Sequence, residues 1–309
     1  MFGRKTAENT SCVIIRTTAE GRIAMEASIT DLNVLNHAAQ IISEAEAFII
    51  TAGAGMGVDS GLPDFRGDHG FWNAYPAYSR LGLSFVDCAN PQYFKSDPGF
   101  GWGFYGHRAN LYRATIPHEG FHIVRKWIDR NSADYFVVTS NVDGQFQKAG
   151  YADNRVLEVH GSIHWLQCQT PCGSNIWPND ADIEIDAASM RARNALPRCP
   201  DCGEVSRPNI LMFGDWHWLP DRTNIQEHRF DQFLVEHADS RIAVIEMGAG
   251  TEIPTIRAMS ERIGWSLEQA DVIRINPREP EIKPPHLSIR CGALEGLRGI
   301  DAALRQQGF

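Results

Sequence analysis

The stretch TAGAGMGVDSGLPDFRG, residues 51–67, decides how the rest of this 309-residue sequence is interpreted. An apolar run typical of a buried strand, residues 47–51, leads directly into Gly53, Ala54 and Gly55. A strand, glycines and a helix start in that order let backbone N–H groups approach a pyrophosphate, with the positive helix terminus behind them. Gly-x-Gly alone is a weak signal, because many tight turns use glycine. The continuation over residues 60–67 is absent from an ordinary dinucleotide fingerprint and makes this copy specific.

Short apolar segments alternate with helical patterns along the chain and predict a parallel α/β sheet. The predicted strands are residues 47–51, 135–139, 155–159, 241–245 and 271–275. Four helices are predicted. The first has Asp31 as its N-cap, two span residues 120–130 and 225–237, and the fourth begins near Pro254. Glycines and polar residues repeatedly follow the strands, at the edge where open α/β sheets bind ligands. The fold class is therefore predicted to be α/β, with a doubly wound, Rossmann-like parallel sheet.

Charge and hydropathy exclude two classes of partner. The formal net charge of -9 argues against the basic surface that broad nucleic-acid binding requires. The sequence has no apolar stretch long enough to span a bilayer. Its first residues, MFGRKTAENTSCVIIRTT, lack the continuous apolar segment of a secretory signal. We therefore expect a cytoplasmic protein with neither nucleic acid nor membrane as a partner, and the oligomeric state stays open.

Four of the seven cysteines form two closely spaced pairs, Cys168-x3-Cys172 and Cys199-x2-Cys202. Each pair has a proline and a glycine beside it, as in the short turns that bring thiolates to one zinc ion. The spacing predicts a structural zinc site, in which four thiolates leave no open position for catalysis. The residues between the pairs are acidic, which disfavours a zinc ribbon that binds nucleic acid. The remaining thiols are interpreted as small buried apolar groups: Cys12, Cys88 and Cys291.

The sequence is expected to form a large domain interrupted by a smaller module. Residues 1–30 are interpreted as an N-terminal extension, and residues 31–160 together with 208–309 as the Rossmann-like domain. Residues 161–207, which contain the cysteine pairs, are the predicted zinc-binding module. Residues 68–117, rich in glycine, proline and aromatic side chains, are expected to add short helices and loops that cover a cleft. Packing of those aromatic residues into a satellite core is the alternative.

Further motifs follow in order: Thr139-Ser140-Asn141-Val142-Asp143-Gly144, Leu157-Glu158-Val159-His160-Gly161-Ser162, Phe213-Gly214-Asp215, Gly248-Ala249-Gly250 and Ile275-Asn276. With residues 53–67 and the cysteine pairs, this set resembles the sirtuins, the NAD-consuming protein deacylases, from about residue 31 to the C-terminus. The resemblance implies NAD as co-substrate, a structural zinc ion and an acylated-lysine protein or peptide as partner. It implies lysine deacylation, such as deacetylation, that releases nicotinamide and O-acyl-ADP-ribose.

The resemblance also implies roles for individual residues. His160 is expected to be the general base, Asn141 to lie near the ribose and an ordered water, and Asp143 to hold the nicotinamide carboxamide; these three are the predicted catalytic residues. Arg66 is expected to neutralise the pyrophosphate and Phe65 to cover the reactive carbon. The expected NAD contacts are Gly53, Ala54, Gly55, Asp64, Phe65, Arg66, Ser140, Asn141, Val142, Asp143, Gly248, Ala249, Gly250 and Asn276.

The sequence departs from the family's pattern around the ribose and the peptide cleft. Ser140 replaces a glutamine, Asp215 replaces a glutamate, and residues 249–250 lack two hydroxyl groups. ADP-ribosyl transfer or NAD hydrolysis at the same site therefore stays open beside deacylation, as does a non-catalytic NAD-sensing module. Purely structural roles stay open as well, such as turn capping by Asn141 and Asp143. No preference for acidic acyl groups is expected, since no Tyr-x-x-Arg pair is found in a position that matches the one with which the family binds them. Residues 75–80 have the wrong spacing.

Overall fold

The computed structural model describes residues 14–17, 23–26, 29–63, 71 and 76–309, with side chains from residue 32 onward in those ranges. In the expected N-terminal extension, strands β1 (Ile14–Thr17) and β2 (Ile23–Glu26) pair antiparallel with each other. Most of the remaining extension lies outside the described residues. No helix among the described residues is long and apolar enough to cross a bilayer.

The other strands of the described chain are β3 (Ala47–Ala52), β4 (Asp134–Thr139), β5 (Val156–Glu158), β6 (Gly161–Cys168), β7 (Ile176–Pro178), β8 (Ile185–Asp186), β9 (Arg191–Ala192), β10 (Ser206–Ile210), β11 (Ile242–Met247), β12 (Ala270–Ile275) and β13 (Leu287–Ile289). Its α-helices are α1 (Ile29–Glu44), α2 (Pro76–Arg80), α3 (Phe85–Cys88), α4 (Tyr93–Ser96), α5 (Pro98–Ala114), α6 (Glu119–Asn131), α7 (Gln145–Lys148), α8 (Asp221–Glu236), α9 (Thr255–Ser266) and α10 (Ala293–Gln306). Short 3₁₀ turns span Ala54–Ser60 and Asp153–Arg155.

Six strands of the described chain form a central parallel sheet in the order β13-β12-β11-β3-β4-β5. Every residue of β3 and β11 is buried, as expected for inner strands that helices cover on both faces. Helices α1, α6 and α10 contribute to the core on one face. Helices α8 and α9 contribute to the core on the other. The predicted doubly wound α/β sheet is confirmed.

The predicted strands and helices lie close to the observed ones, except for the start of the first helix. Each predicted strand overlaps its observed counterpart, as residues 135–139 do with Asp134–Thr139. Helix α1 begins at Ile29, so Asp31 lies in its first turn and the prediction that it is the N-cap is wrong.

The described aromatic residues between positions 71 and 112 contribute to a second core, which confirms the satellite-core alternative for them. The most buried of them, each at most 1% exposed, are Phe71, Tyr78, Phe94, Trp102, Phe104 and Tyr105. The sequence analysis missed the 17-residue helix α5 in this region. Glycine lowers helix propensity, but here it permits close packing, because a Cβ at Gly103 would collide with the Met190 carbonyl.

A smaller antiparallel sheet lies beside the central one, in the order β10-β6-β7. Strand β6 ends at Cys168, the first of the paired cysteines, and the hairpin of β8 and β9 follows β7 along the chain. Strand β10 runs to Ile210, so this sheet crosses the expected domain boundary at residue 207. The indole Nε1–H of Trp102 donates to the Ser206 carbonyl (2.9 Å) and joins α5 to this sheet.

The central sheet also contains a fully buried ion pair. The Nε and Nη2 atoms of Arg274 lie 2.6 Å and 3.0 Å from the two carboxylate oxygens of Glu246. Arg274 also donates to Glu261 on α9 (2.8 Å) and to the Glu281 carbonyl (2.7 Å). Desolvation of two such charges offsets much of their attraction, so the pair matters chiefly because either charge alone would be costly.

Candidate active site

The central sheet reverses its direction of growth between β3 and β11. The chain passes from β3 to β4 and β5 on one side, and from β11 to β12 and β13 on the other. At such a point the connections leave neighbouring strands in opposite directions, and a crevice opens outside their carboxyl ends. Both strands end in the glycine-containing motifs that the sequence analysis singled out.

Gly53 and Gly248 meet across this crevice. The N–H of Gly53 donates to the Met247 carbonyl (3.0 Å), and the N–H of Gly55 donates to the Gly248 carbonyl (3.0 Å). A Cβ at Gly53 would lie 2.7 Å from the Gly248 oxygen, and Gly248 has a φ of 62°, which favours glycine. The two loops therefore present backbone with few side-chain atoms, a surface that a phosphate group can approach.

A cleft of about 780 Å³ opens at this crevice. It is lined by the two glycine loops, the segment after β4, the end of β5 and parts of α5. The predicted site residues that line it are Gly53, Ala54, Ser140, Asn141, Val142, Asp143, His160, Gly248, Ala249 and Gly250. The structure thus brings together residues that are nearly 200 positions apart in the sequence.

Of the five remaining predicted contacts, two are described residues that are not among the lining residues, and the other three are not described. Gly55 lies within the 3₁₀ turn that follows β3. Asn276 is fully buried, where its Nδ2 donates to the Ala249 carbonyl (2.8 Å) and its Oδ1 accepts from two backbone N–H groups. It therefore lies beneath the Gly248 loop and holds it in place. Asp64, Phe65 and Arg66 lie outside the described residues.

The segment after β4 is attached to the first glycine loop. The Nδ2 of Asn141 donates to the Gly53 carbonyl (3.0 Å), and its backbone N–H donates to the Thr139 hydroxyl (3.0 Å). The N–H of Ile163 donates to the Val142 carbonyl (3.0 Å). These bonds fix residues 141–143 between the central sheet and β6, so the segment faces the cleft in a defined orientation.

Asp143 caps the following turn and also lines the cleft. Its Oδ1 accepts from the N–H of Gln145 (3.0 Å), as the structural alternative predicted. Burial raises the pKa of Asp143 to about 6, the Gln145 N–H opposes this rise, and the nearby Glu158 carboxylate adds to it. The carboxylate form therefore predominates only above about pH 6, where it can accept hydrogen bonds from a ligand.

His160 lies half-buried just beyond the end of β5 and lines the cleft. The next residue, Gly161, has a φ of 76°, and a Cβ there would collide with the Asn209 carbonyl. Burial lowers the pKa of His160, and a hydrogen bond with the Ser140 backbone partly opposes that effect. The imidazole is therefore neutral at physiological pH, the form that can accept a proton.

Glu158 precedes His160 but has a different role. Its carboxylate is buried and pairs with Arg222 of α8 (2.6 Å), while its backbone N–H donates to the Gln226 side chain (3.1 Å). The Thr223 hydroxyl donates to its carbonyl (3.2 Å). Glu158 thus fixes the end of β5, and through it the position from which His160 reaches the cleft.

The sequence analysis missed a pair of cleft residues on α5. Tyr105 and Arg108 have Tyr-x-x-Arg spacing and line the cleft, so the expectation that no such pair exists is wrong. Arg108 is 6% exposed, and its Nε and Nη2 donate to the Tyr112 hydroxyl (3.0 and 2.8 Å). The rings of Tyr105 and Phe104 lie within cation–π distance of its guanidinium. A search of the whole sequence for this spacing would have found the pair.

The four paired cysteines converge as predicted. Their Sγ atoms all lie within 4.8 Å of one another, and the distances Cys168–Cys202 and Cys172–Cys199 are 3.6 Å each. Zinc–sulfur bonds of about 2.3 Å place the sulfurs of a tetrahedral site about 3.8 Å apart, so the arrangement fits zinc. Cys88 is buried apart from them, and burial raises the pKa of its thiol to about 12, in agreement with its interpretation as an inert apolar residue.

Comparison with known proteins agrees with this geometry. Residues 53–241 match the model of the Sir2 family. An NAD-dependent protein deacylase of Aeropyrum pernix is 29% identical over 240 residues, which are 77% of this chain and 84% of that protein. An NAD-dependent protein deacylase of Aquifex aeolicus is 28% identical over 261 residues, which are 84% of this chain and 95% of that protein.

Solved structures share the fold. A Sir2 homologue in complex with NAD aligns with a TM-score of 0.64 at 25% identity, over 87% of this chain and 93% of that chain. A mutant Sir2 homologue in complex with ADP-ribose aligns with a TM-score of 0.62 at 25% identity, over 87% of this chain and 96% of that chain.

Replacing Cys172 with serine is expected to release zinc and to lower the thermal unfolding midpoint, because the two cysteine pairs then lose one of the four thiolates that bind the metal. Zinc content per chain and thermal unfolding of the purified protein measure both effects. Cys291→Ser, which changes a half-buried thiol outside the cluster, is the matched control and should keep the metal. A Cys172→Ser protein with undiminished zinc content would contradict the assignment.

Proposed function

This chain belongs to the Sir2 family, and from that premise we propose that it is an NAD-dependent protein-lysine deacylase that releases nicotinamide and O-acyl-ADP-ribose. One observation carries the proposal: His160 lines the same cleft as the Gly53 and Gly248 loops and the Asn141–Asp143 segment. A dinucleotide with its phosphates on the glycine loops has its ribose and nicotinamide within reach of two titratable groups. The names of the deacylase relatives support the same reaction.

We assign the pyrophosphate to the backbone of the loops that follow β3 and β11. Gly53, Ala54, Gly248, Ala249 and Gly250 line this end of the cleft and carry no side chain larger than a methyl group. Phosphate oxygens can therefore approach peptide N–H groups closely. The positive charge of Arg66 and the cover by Phe65, which the family resemblance implies, remain predictions.

We assign the reacting end to residues 140–143 and His160. The Asp143 carboxylate is suited to accept hydrogen bonds from the carboxamide NH₂ of nicotinamide, and Val142 lies beside it in the lining. The acyl oxygen of the lysine substrate attacks the ribose carbon as the bond to nicotinamide breaks. Neutral His160 then accepts a proton through the ribose hydroxyls, so that a ribose oxygen can take the acyl group. The bond between the acyl carbon and the lysine nitrogen then breaks, and the amine leaves with a proton. Water adds to the acyl carbon, whose bond to the oxygen on the anomeric carbon breaks, so that the acyl group remains as an ester on the ribose.

Replacing His160 with alanine is expected to lower kcat for deacylation by about 10²- to 10⁴-fold, because the general base is lost. Nicotinamide release with and without an acetyl-lysine peptide is the measurement. His228→Ala, on the exposed surface of α8, is the control and should retain the rate of the unaltered protein.

The same assay separates the candidate reactions. Nicotinamide release that depends on the acylated peptide is the expected result for the unaltered protein. Release that is independent of any peptide would instead indicate NAD hydrolysis or ADP-ribosyl transfer and would overturn deacylation. A His160→Ala protein with an unchanged rate would overturn the role of the imidazole.

The value of kcat/KM for NAD is expected to fall as pH decreases through about 6. The pKa of Asp143 is raised to about 6, so its carboxylate is present above that pH and is lost below it. Burial lowers the pKa of His160 from its ordinary value, so the neutral imidazole persists to lower pH than in a free histidine. Asp143→Asn should lower kcat/KM at high pH by about 10- to 100-fold, as expected when a charged hydrogen bond is lost. In this variant kcat/KM should no longer fall as the pH decreases through about 6. An unchanged decrease in that variant would show that another group titrates.

We further propose that the enzyme prefers acyl groups that end in a carboxylate, such as succinyl. Arg108 places a fixed positive charge in the cleft wall, and Tyr105 lies one helical turn before it on the same side of α5. Guanidinium binds carboxylate through two parallel hydrogen bonds, which a neutral acyl chain cannot form. Burial raises the pKa of Tyr105, so its hydroxyl stays neutral and can donate to the same carboxylate.

Arg108→Met is expected to lower kcat/KM for a succinyl-lysine peptide by about 10- to 100-fold, because a charged hydrogen bond of about 1.5–3 kcal/mol is lost. The value for the matching acetyl-lysine peptide should change by less than about threefold, since an acetyl group has no carboxylate for the guanidinium to bind. Arg80→Met changes an exposed arginine of α2 and should leave the succinyl-to-acetyl ratio as it is. A ratio that Arg108→Met does not alter would refute the acyl preference.

A further inference from the structure

The loop that follows β10, residues 211–219, carries exposed apolar side chains and begins with residues that line the cleft. Leu211 is 40% exposed, Phe213 is 38% exposed and Trp216 is 94% exposed. Leu211, Met212 and Phe213 line the cleft itself, and the N–H of Phe213 donates to the Ala89 carbonyl on its other side (3.1 Å). Large apolar side chains grouped at the mouth of a cleft are typical of a docking surface. We call residues 211–219 the cleft loop.

A buried ion pair lies beneath the cleft loop. The Nη2 of Arg207 is 2.6 Å from the Oδ2 of Asp215, and both side chains are completely buried. The Asp215 carboxylate also accepts from the backbone N–H groups of Met212 (3.3 Å) and His217 (3.1 Å). Asp215 therefore faces inward and holds both sides of the turn at Gly214. The aspartate that replaces the family's glutamate reaches Arg207 at full ion-pair distance.

The small sheet holds the far end of the cleft loop. The Oε1 of Gln167, on β6, accepts from the N–H of Leu219 (3.0 Å), and its Nε2 donates to the His217 carbonyl (2.7 Å). The Nδ2 of Asn209, on β10, donates to the Leu219 carbonyl (2.9 Å). Gln167 and Asn209 are completely buried. The cleft loop thus has an exposed apolar surface, and buried polar side chains hold it from beneath.

We propose that Arg207, Asp215 and Gln167 are positioning residues that preset the cleft loop for the peptide chain of the acyl-lysine substrate. The inference rests on the proposed deacylase function. A buried ion pair contributes little net stability, but it permits one backbone arrangement, because any other leaves a charge without its partner. A preset loop costs less ordering when peptide binds. These residues therefore determine peptide affinity, whereas the glycine loops determine NAD affinity.

Asp215→Asn tests the proposal through the two substrates separately. The KM for an acyl-lysine peptide is expected to rise about tenfold or more, while kcat at saturating peptide and the Kd for NAD from isothermal titration change by less than about twofold. Asp215→Glu, which keeps the charge, should recover most of the peptide affinity. Glu246→Gln is the matched control, since it breaks the buried pair with Arg274 without changing a cleft residue; it should lower the unfolding midpoint and leave the peptide KM unchanged.

Should Asp215→Asn fold poorly, the double variant Arg207→Met with Asp215→Leu replaces it, because removing both charges together avoids a lone buried charge. It is expected to unfold near the temperature of the unaltered protein and still to show the raised peptide KM. An unchanged peptide KM, or an equal loss of NAD affinity, would overturn the positioning role alone. Absence of peptide deacylation by the unaltered protein would overturn the proposed function and this inference with it.

Discussion

The backbones of Gly53 and Gly248 lie against each other, and the geometry of the cleft follows from that contact. Strands β3 and β11 run in parallel register up to Ala52 and Met247, so both loops leave the sheet at the same level. Two side-chain amides then extend the arrangement: Asn141 binds the first loop and Asn276 the second. Four strand ends are thereby joined around one crevice, and any residue larger than glycine at its centre would separate them.

Burial assigns a different function to each charged group around the crevice. It leaves His160 neutral and moves the titration of Asp143 towards physiological pH. Arg108 is about as buried as Asp143 but remains cationic, because guanidinium is protonated in all ordinary conditions. The carboxylates of Glu158 and Asp215, also near the cleft, form ion pairs with Arg222 and Arg207. One cleft therefore offers a base, an acceptor and a cation at separate positions.

The sheet and most of the cleft could be predicted from the sequence, because strand ends and glycine motifs are local features that follow one another along the chain. Helix α5 was missed because its glycines oppose a helix locally, although Asp97 and Pro98 provide a cap and a start, and packing against residues 183–191 requires those glycines. Tyr105 and Arg108 on this helix could have been predicted, because their spacing is visible in the sequence. The buried position of Asn276 and the inward orientation of Asp215 depend on contacts between distant segments, which no short motif contains.

Helix α5 and the central sheet contribute to the cleft independently. Tyr105, Arg108 and Tyr112 repeat every three or four residues on one side of the helix, and none of them belongs to the sheet or its glycine loops. Under the acyl preference proposed above, a substitution on this side of the helix changes which modified lysines are accepted and leaves the backbone around the coenzyme as it is. Selectivity and coenzyme use can then be altered one at a time by mutagenesis.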